Sequence, residues 1–196
     1  MSRAGKAQQL SIIRIIAGRW RGRRIPVLPN GVRPTGDRIR ETLFNWLQPY
    51  LSGARCLDLF AGTGALGLEA LSRGAAGVTF VDQDARVVGQ LKETLAALAS
   101  ESGRAVRGNA LTLDYAAFGP FDLVFLDPPF GSIDLGNLCK LLEASGGLAK
   151  AARIYIELQR HDALPELPPD WVVLKEGQAG RVRFALLERT AADEQE

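Results

Sequence analysis

Cysteine and histidine are almost missing from this chain, which has two Cys and one His in 196 residues. Cys56 and Cys139 stand far apart, neither in a CxxC pair, and His161 has no second histidine to join it. A metal centre needs several clustered ligands and a thiol nucleophile needs a paired base. No metal is therefore expected, and both cysteines read as small apolar fillers. Long hydrophobic runs are missing as well, because charge or glycine interrupts every Leu, Ile and Val run before the roughly 18 residues of a membrane span. The opening "MSRAGKAQQLSIIRI" lacks the apolar core and small-residue cleavage site of a secretory leader, so the expected location is the cytoplasm.

What remains is 46% hydrophobic and 23% charged, an ordinary globular composition, with enough length for one sizeable core and a small appendage. A net charge of +2 says little about partners, but its distribution says more. Residues 1–40 hold ten Lys or Arg against Asp37 alone, a balance of +9, which leaves −7 for the rest of the chain. Such asymmetry points to a polyanion contact at one end. The plain alternative is a solvated basic arm.

Along the chain, residues 1–11 read as a disordered start. Residues 12–50 read as a basic extension, residues 51–190 as the main domain and residues 191–196 as an acidic tail. "SIIRIIAGRWRGRRIPV" alternates short apolar runs with glycine-punctuated basic residues, which predicts a β-ribbon turning near Gly18 to Gly22. "RPTGDRIRETLFNWL" predicts a helix with Thr35 as N-cap and Asp37 in its first turn. Ile39, Leu43, Trp46 and Leu47 share one face, which leaves Arg38 and Arg40 to project elsewhere.

From Ala54 strands and helices alternate: "ARCLDLF", "GALGLEALSRG", "GVTFVD", "ARVVGQLKETLAALAS", "AVRGNA", "FDLVFLD", "LGNLCKLLEAS" and "ARIYIELQ". This predicts an α/β fold with a mainly parallel sheet covered on both faces. "WVVLKEG" and "RVRFALLER", joined by "QAG" with no helix between, predict a C-terminal antiparallel hairpin.

Two strand ends carry chemistry. In "LDLFAGTGALG", Gly62, Gly64 and Gly67 have the GxGxxG spacing between a strand and a helix, and Asp82 ends the next strand. Glycines let a nucleotide-like ligand approach the backbone, and an acid at that strand end can accept from ribose hydroxyls. Asp58, just before the loop, is placed to accept from a ligand's ammonium group, and Asn109 in "GNA" to pair with an adenine amine. The other strand end is "FDLVFLDPPFGS". The Asp127 carboxylate and Pro128 carbonyl form an acceptor pair that can orient an exocyclic amine, whose lone pair is otherwise delocalised into its ring. Pro128 and Pro129 stiffen the turn, and Phe130 offers a face for an extruded base.

The motifs D-x-F-A-G-x-G, a second-strand acid and D-P-P-F together resemble class I S-adenosylmethionine-dependent methyltransferases acting on exocyclic amines. D-P-P-F alone does not distinguish guanine N2 from adenine N6 or cytosine N4. With "IIAGRWRGRRIPV", "RPTGDRIRETLFNWL", "CLDLFAGTGALGLEALSRGA" and "IYIE" in this order, residues 12 to 190 are similar to the bacterial 16S rRNA guanine-N2 methyltransferase family. That family modifies one guanine in the head of the small ribosomal subunit.

The resemblance implies a Rossmann-like seven-stranded methyltransferase fold, S-adenosylmethionine as donor, and 16S rRNA in the small subunit or its assembly intermediate as partner, met by a monomer. It places Asp58, Gly62 and Gly64 at the methionine end of the cofactor, Asp82 at the ribose, and Asn109 with Ala110 at the adenine. Asp84 in "VDQD" competes with Asp82 for the ribose. Asp127, Pro128 and Phe130 would hold the target base. Arg14, Arg19, Arg21, Arg23, Arg24, Arg33 and Arg38 would grip phosphates, with Trp20 stacking or packing and Thr35 near the active site. Rival expectations are a nucleic-acid adenine-N6 methyltransferase, an NAD-dependent oxidoreductase, for which D-P-P-F and the basic arm have no role, and a non-catalytic rRNA-binding assembly factor.

Overall fold

The periodicities of the sequence become four helices and nine strands in the computed structural model, which describes residues 12–27 and 36–190. A ribbon of β1 (Ile12–Arg14) and β2 (Arg24–Pro26) comes first, followed by α1 (Asp37–Leu51). Then β3 (Arg55–Asp58), α2 (Ala65–Ser72), β4 (Gly77–Asp82), α3 (Ala85–Ala97) and β5 (Gly103–Arg107) alternate. β6 (Phe121–Leu126), α4 (Leu135–Ala144) and β7 (Leu148–Gln159) follow, and β8 (Trp171–Ala179) with β9 (Val182–Arg189) forms the closing hairpin. No helix among the described residues is long and apolar enough to cross a membrane.

The seven-stranded sheet has the order β5-β4-β3-β6-β7-β9-β8. Chain growth begins in the middle at β3, runs outward through β4 and β5, then returns across β3 to β6. All pairings from β5 to β7 are parallel, whereas β9 lies antiparallel between β7 and β8. The reversal between β3 and β6 opens a crevice at their carboxyl ends, the usual ligand position of open α/β sheets. The glycine loop leaves β3 there and Asp-Pro-Pro-Phe leaves β6.

Continuous apolar runs such as Leu123 to Leu126 and Ile154 to Ile156 are buried, as strands covered on both faces must be. One face packs on α1, α2 and α3, the other on α4 and the loops around Tyr115 and Leu164. Cys56 and Cys139 are buried in different clusters, one in each layer. Ile13, Ile15, Trp20, Ile25 and Val27 of the ribbon join the same cluster as α1 and α2. The basic extension thus shares the core of the main domain.

α1 departs from the sequence reading in three ways. Its N-cap is Gly36, with no side-chain cap, while Thr35 lies outside the described residues. It continues through Pro49 to Leu51. The larger correction concerns Arg40, which does not project into solvent but is 1% exposed. It follows the apolar stripe of Ile39, Leu43 and Leu47 inward and bonds Asp37 Oδ1 at 2.7 Å, the Arg14 carbonyl at 2.9 Å and Glu69 Oε2 at 3.4 Å. A helical period reports only which face is buried, and a cation joins that face when carboxylates wait for it.

Glu69 of α2 is that carboxylate and is fully buried. Its oxygens accept from the backbone N–H groups of Ile16 at 2.8 Å and Ala17 at 2.9 Å, and from Arg73 Nε at 2.7 Å, besides Arg40. One turn on, Ser72 Oγ donates to the Ala17 carbonyl at 2.6 Å and accepts from the Trp20 N–H at 3.0 Å. Gly18 lies so close that a Cβ would come within 1.9 Å of the Ser72 carbonyl oxygen, in a backbone with φ of 80°. Removing one partner of a buried, paired charge typically costs about 3–5 kcal/mol. Glu69→Ala should therefore lose stability of that order in urea denaturation and expose the Arg19 to Arg24 segment to trypsin. A ribbon that stays resistant would show that its apolar contacts suffice.

Candidate active site

Asp58 ends β3 and is 3% exposed. Its Oδ2 accepts the Gly67 N–H at 2.9 Å, one of the donors a helix N-terminus leaves without an intrahelical partner. Burial pushes the carboxyl up to about 8; the Gly67 bond acts in the opposite direction, and nearby Asp127 and Asp82 add to the rise. Gly64, the N-cap of α2, has φ of 75°, and a Cβ there would approach Leu91 Cδ2 to 2.5 Å. Its bareness serves the turn and the packing of α3, while Gly62 and Thr63 form the wall of the cleft.

Asp82 ends β4 half-buried, and each carboxylate oxygen already ties one backbone N–H: Oδ2 that of Gly62 at 3.0 Å, Oδ1 that of Asp84 at 2.9 Å. The acid thereby links the β4 end to the glycine loop and keeps further lone pairs for a ligand. Asp84 is employed differently. It caps α3 through the Arg86 N–H at 2.8 Å and pairs with Arg86 Nη2 at 2.6 Å, and those Arg86 hydrogen bonds hold its carboxyl down at about 2. Both acids border the cleft, but Asp82 is the one joined to the glycine loop.

After β5, Asn109 is exposed and its Oδ1 accepts the Leu111 N–H at 2.9 Å. Buried Ala110 gives its carbonyl to the Tyr115 hydroxyl, which stiffens the loop. After β6, Asp127 is half-buried and Pro128 buried. The Pro129 carbonyl closes the turn by accepting the Ser132 N–H at 3.1 Å and also the Ser132 hydroxyl.

These strand ends converge on one cleft of about 440 Å³ whose wall includes Asp58, Gly62, Asp82, Asn109, Ala110 and Asp127. Pro128 and Phe130 are not on that wall; Phe130 stands outside it with 47% of its surface exposed. Residues of the ribbon and of α3 escaped the sequence reading. Pro26 and Val27, at the end of the ribbon, form part of the wall, as do Val87 and Gln90 of α3. The α3 pair has a faint signal, since it lies on the helix following the second-strand acid. Nothing in the spacing of the ribbon marks Pro26 or Val27, because Glu69 and Ser72 place them.

Arg14, Arg19, Arg21, Arg23, Arg24 and Arg38 are all exposed and make no ion pair among the described residues. Arg33 lies outside the described residues. Trp20 is buried as a packing residue, with the Arg19 guanidinium 4.1 Å above its ring.

This architecture, with a glycine loop at the switch point and one antiparallel strand inserted beside the last, is that of the class I, Rossmann-like S-adenosylmethionine-dependent methyltransferases. Residues 13–188 match the family described as conserved hypothetical protein 95, and the chain belongs to that family. A curated relative from Escherichia coli strain K12, named ribosomal RNA small subunit methyltransferase D, is 48% identical over 183 residues, covering 93% of this chain and 92% of its own. A Haemophilus influenzae protein of the same name is 46% identical over 179 residues, covering 89% and 92%. A solved structure from Escherichia coli superposes with a TM-score of 0.84 at 48% identity, over 93% of this chain and all of the other. Magnesium protoporphyrin IX methyltransferase from Synechocystis, solved with S-adenosylmethionine bound, shares the fold alone, with a TM-score of 0.62 and 16% identity over 78% and 79% of the two chains.

The carboxyl of Asp58 generates a pH dependence. The folded protein keeps its proton up to about 8, whereas an unfolded Asp releases it near 3.8, so stability from this group falls as pH rises between those values. Asp58→Asn abolishes the titration yet retains an oxygen for the Gly67 N–H. Its stability relative to the parent should increase steadily across that window in denaturation series at fixed pH. Parallel profiles would mean that Asp58 ionises normally in the fold.

Proposed function

We propose that this chain methylates the exocyclic N2 amine of one guanine in the 16S rRNA of the small ribosomal subunit, using S-adenosylmethionine, as a monomer in the cytoplasm. The observation that carries the chemistry is Asp127, a half-buried acceptor on the cleft wall at the end of β6, directly across the switch point from the glycine loop. The names of the curated relatives support small-subunit rRNA as substrate. The donor set suits the cofactor: acceptors at Asp58 and Asp82 match an ammonium and a ribose, the Gly62 to Thr63 backbone admits the methionine end, and Asn109 with Ala110 borders the adenine position.

The cofactor supplies a methyl group on a positively charged sulfur. Everything else falls to the chain. The Asp127 carboxylate and Pro128 carbonyl accept the amine N–H bonds, which favours a pyramidal nitrogen with its lone pair turned toward the cleft. When the methyl group leaves the sulfur for that nitrogen, the positive charge would move with it onto the nitrogen, where Asp127 would offset it in a site partly shielded from water until one N–H proton is lost. Phe130, uncovered outside the wall, is free to stack on the extruded base. Exposed Arg14, Arg19, Arg21, Arg23, Arg24 and Arg38, with Arg33, bind the flanking phosphates.

The deciding experiment incubates the protein with labelled S-adenosylmethionine and small subunits from cells lacking the enzyme, then identifies the modified nucleoside by mass spectrometry. N2-methylguanosine is expected. N6-methyladenosine would overturn the assignment in favour of an adenine-directed enzyme, since both chemistries use D-P-P-F.

Residue roles follow separately. Asp82→Ala should weaken S-adenosylmethionine binding by about 1.5–3 kcal/mol, the range for hydrogen bonds to a charged group. Calorimetry reads this directly, and unchanged affinity would move the ribose contact to Asp84. Asp127→Ala should slow single-turnover methylation roughly 10²- to 10³-fold, as expected when one preorganised transition-state group is lost. Cofactor affinity should hardly move. Retention of most of the rate would reduce Asp127 to a turn residue.

A further inference from the structure

The sheet edge beside Asp127 is not level. β6 pairs with β7 only as far as Leu126 opposite Ile156. β7 runs on, pairing with β9 through Gln159 opposite Val182, and β8 pairs with β9 to Ala179 opposite Val182. Three further residues at roughly 3.3 Å each raise this flank about 10 Å above the end of β6. It forms a shoulder on the side of the Asp127 mouth away from β3, β4 and β5, where the cofactor residues lie.

The crest of that shoulder is basic and held in shape. Arg160, His161 and Arg181 are exposed there. The Arg160 N–H donates to the Arg181 carbonyl at 2.8 Å, and Arg160 Nη1 donates to the Gly180 carbonyl at 3.2 Å. Asp162 N–H donates to the Gln159 carbonyl at 3.0 Å, and Arg183 Nη1 donates to the Asp162 carbonyl at 3.1 Å. Arg183 is neutralised by Glu176 at 2.7 Å. Arg160 and Arg181 have no ion pair among the described residues, and Asp162 is the acid that follows Arg160 in the turn. The backbone that carries these two guanidinium groups is set by the ladder hydrogen bond between Arg160 and Arg181, which a charged tail lacks.

We infer that the crest formed by Arg160 and Arg181 is a second rRNA phosphate contact, gripping the strand on the opposite side of the target base from the N-terminal ribbon. The inference rests on the rRNA reading above. A base drawn into the Asp127 mouth leaves its two neighbouring phosphates outside, and a single contact on one side would let the strand pivot. The shoulder stands on that other side of the mouth, and its guanidinium groups suit phosphate oxygens.

The test measures binding of small subunits from cells lacking the enzyme across a salt series. Each lost phosphate contact lowers the magnitude of the log K against log salt slope by about 0.7–0.9. Arg181→Gln should show one such decrement, and the double variant Arg160→Gln/Arg181→Gln about 1.4–1.8, with S-adenosylmethionine affinity and unfolding midpoint unchanged. Arg181 has no side-chain hydrogen bond among the described residues, so the single variant keeps the test sound even if the Arg160 turn loosens. A wild-type slope in the double variant overturns the inference. Lost affinity without a slope change also overturns it, since the crest would then touch ribosomal protein. A ribbon variant with Arg21, Arg23 and Arg24 replaced by Ala separates the two claims. If it alone flattens the slope, the rRNA reading survives and the crest is ordinary solvated surface. If neither set does, the rRNA reading fails as well.

Discussion

The buried carboxylate of Glu69 is the constraint on which the remainder of the molecule depends. A charge in the interior is tolerated only when donors surround it, and here the donors come from three parts of the chain: the Ile16 and Ala17 backbone, Arg40 of α1 and Arg73 at the end of α2. α2 also carries the glycine loop at its N-terminus. Satisfying one acid therefore fixes the ribbon and the first helix to the element that shapes the cleft. Pro26 and Val27 reach the cleft wall as a result. An arm that its composition would describe as a basic tail becomes part of the cleft wall.

The acids of the cleft show the same economy of use. Asp58 and Asp82 each hold backbone N–H groups of the glycine loop or its neighbours while facing the space a ligand would fill. Their geometry is set before any ligand arrives, which is what a precise site needs from its supporting hydrogen bonds. It carries a cost: burial above all, with a smaller addition from repulsion by nearby Asp127 and Asp82, raises the Asp58 carboxyl, which keeps its proton well into the neutral range. A cationic group entering the cleft relieves that repulsion.

Charge on this protein acts locally and not as a sum. Arg40 looks like its neighbours in the sequence, yet it is consumed inside, whereas Arg38 two residues earlier stays in solvent. Asp84 looks interchangeable with Asp82, yet it is committed to Arg86 and the start of α3. The β7, β8 and β9 flank, which contributes nothing to the cleft wall, builds a raised edge whose arginines lie far from the basic segment in sequence.

The sequence by itself determined the order of the elements, because apolar runs of strand length and helical stripes alternate without ambiguity from Ala54 onward. It also determined the strand ends that carry chemistry, because glycine spacing, a following acid and Asp-Pro-Pro-Phe are local patterns imposed by backbone and ligand geometry. The ribbon turn between Gly18 and Gly22 was legible for the same local reason. Only the tertiary structure decided where side chains went once distant segments met. It buried Arg40 and Trp20, moved the N-cap from Thr35 to Gly36, turned Gly64 toward Leu91, left Phe130 outside the cleft wall and brought Pro26 and Val27 into it. The burial of Arg40 and Trp20 and the packing of Gly64 each depend on a partner about 20 or more residues away, and burial, unlike periodicity, is set by the neighbour and not by the residue.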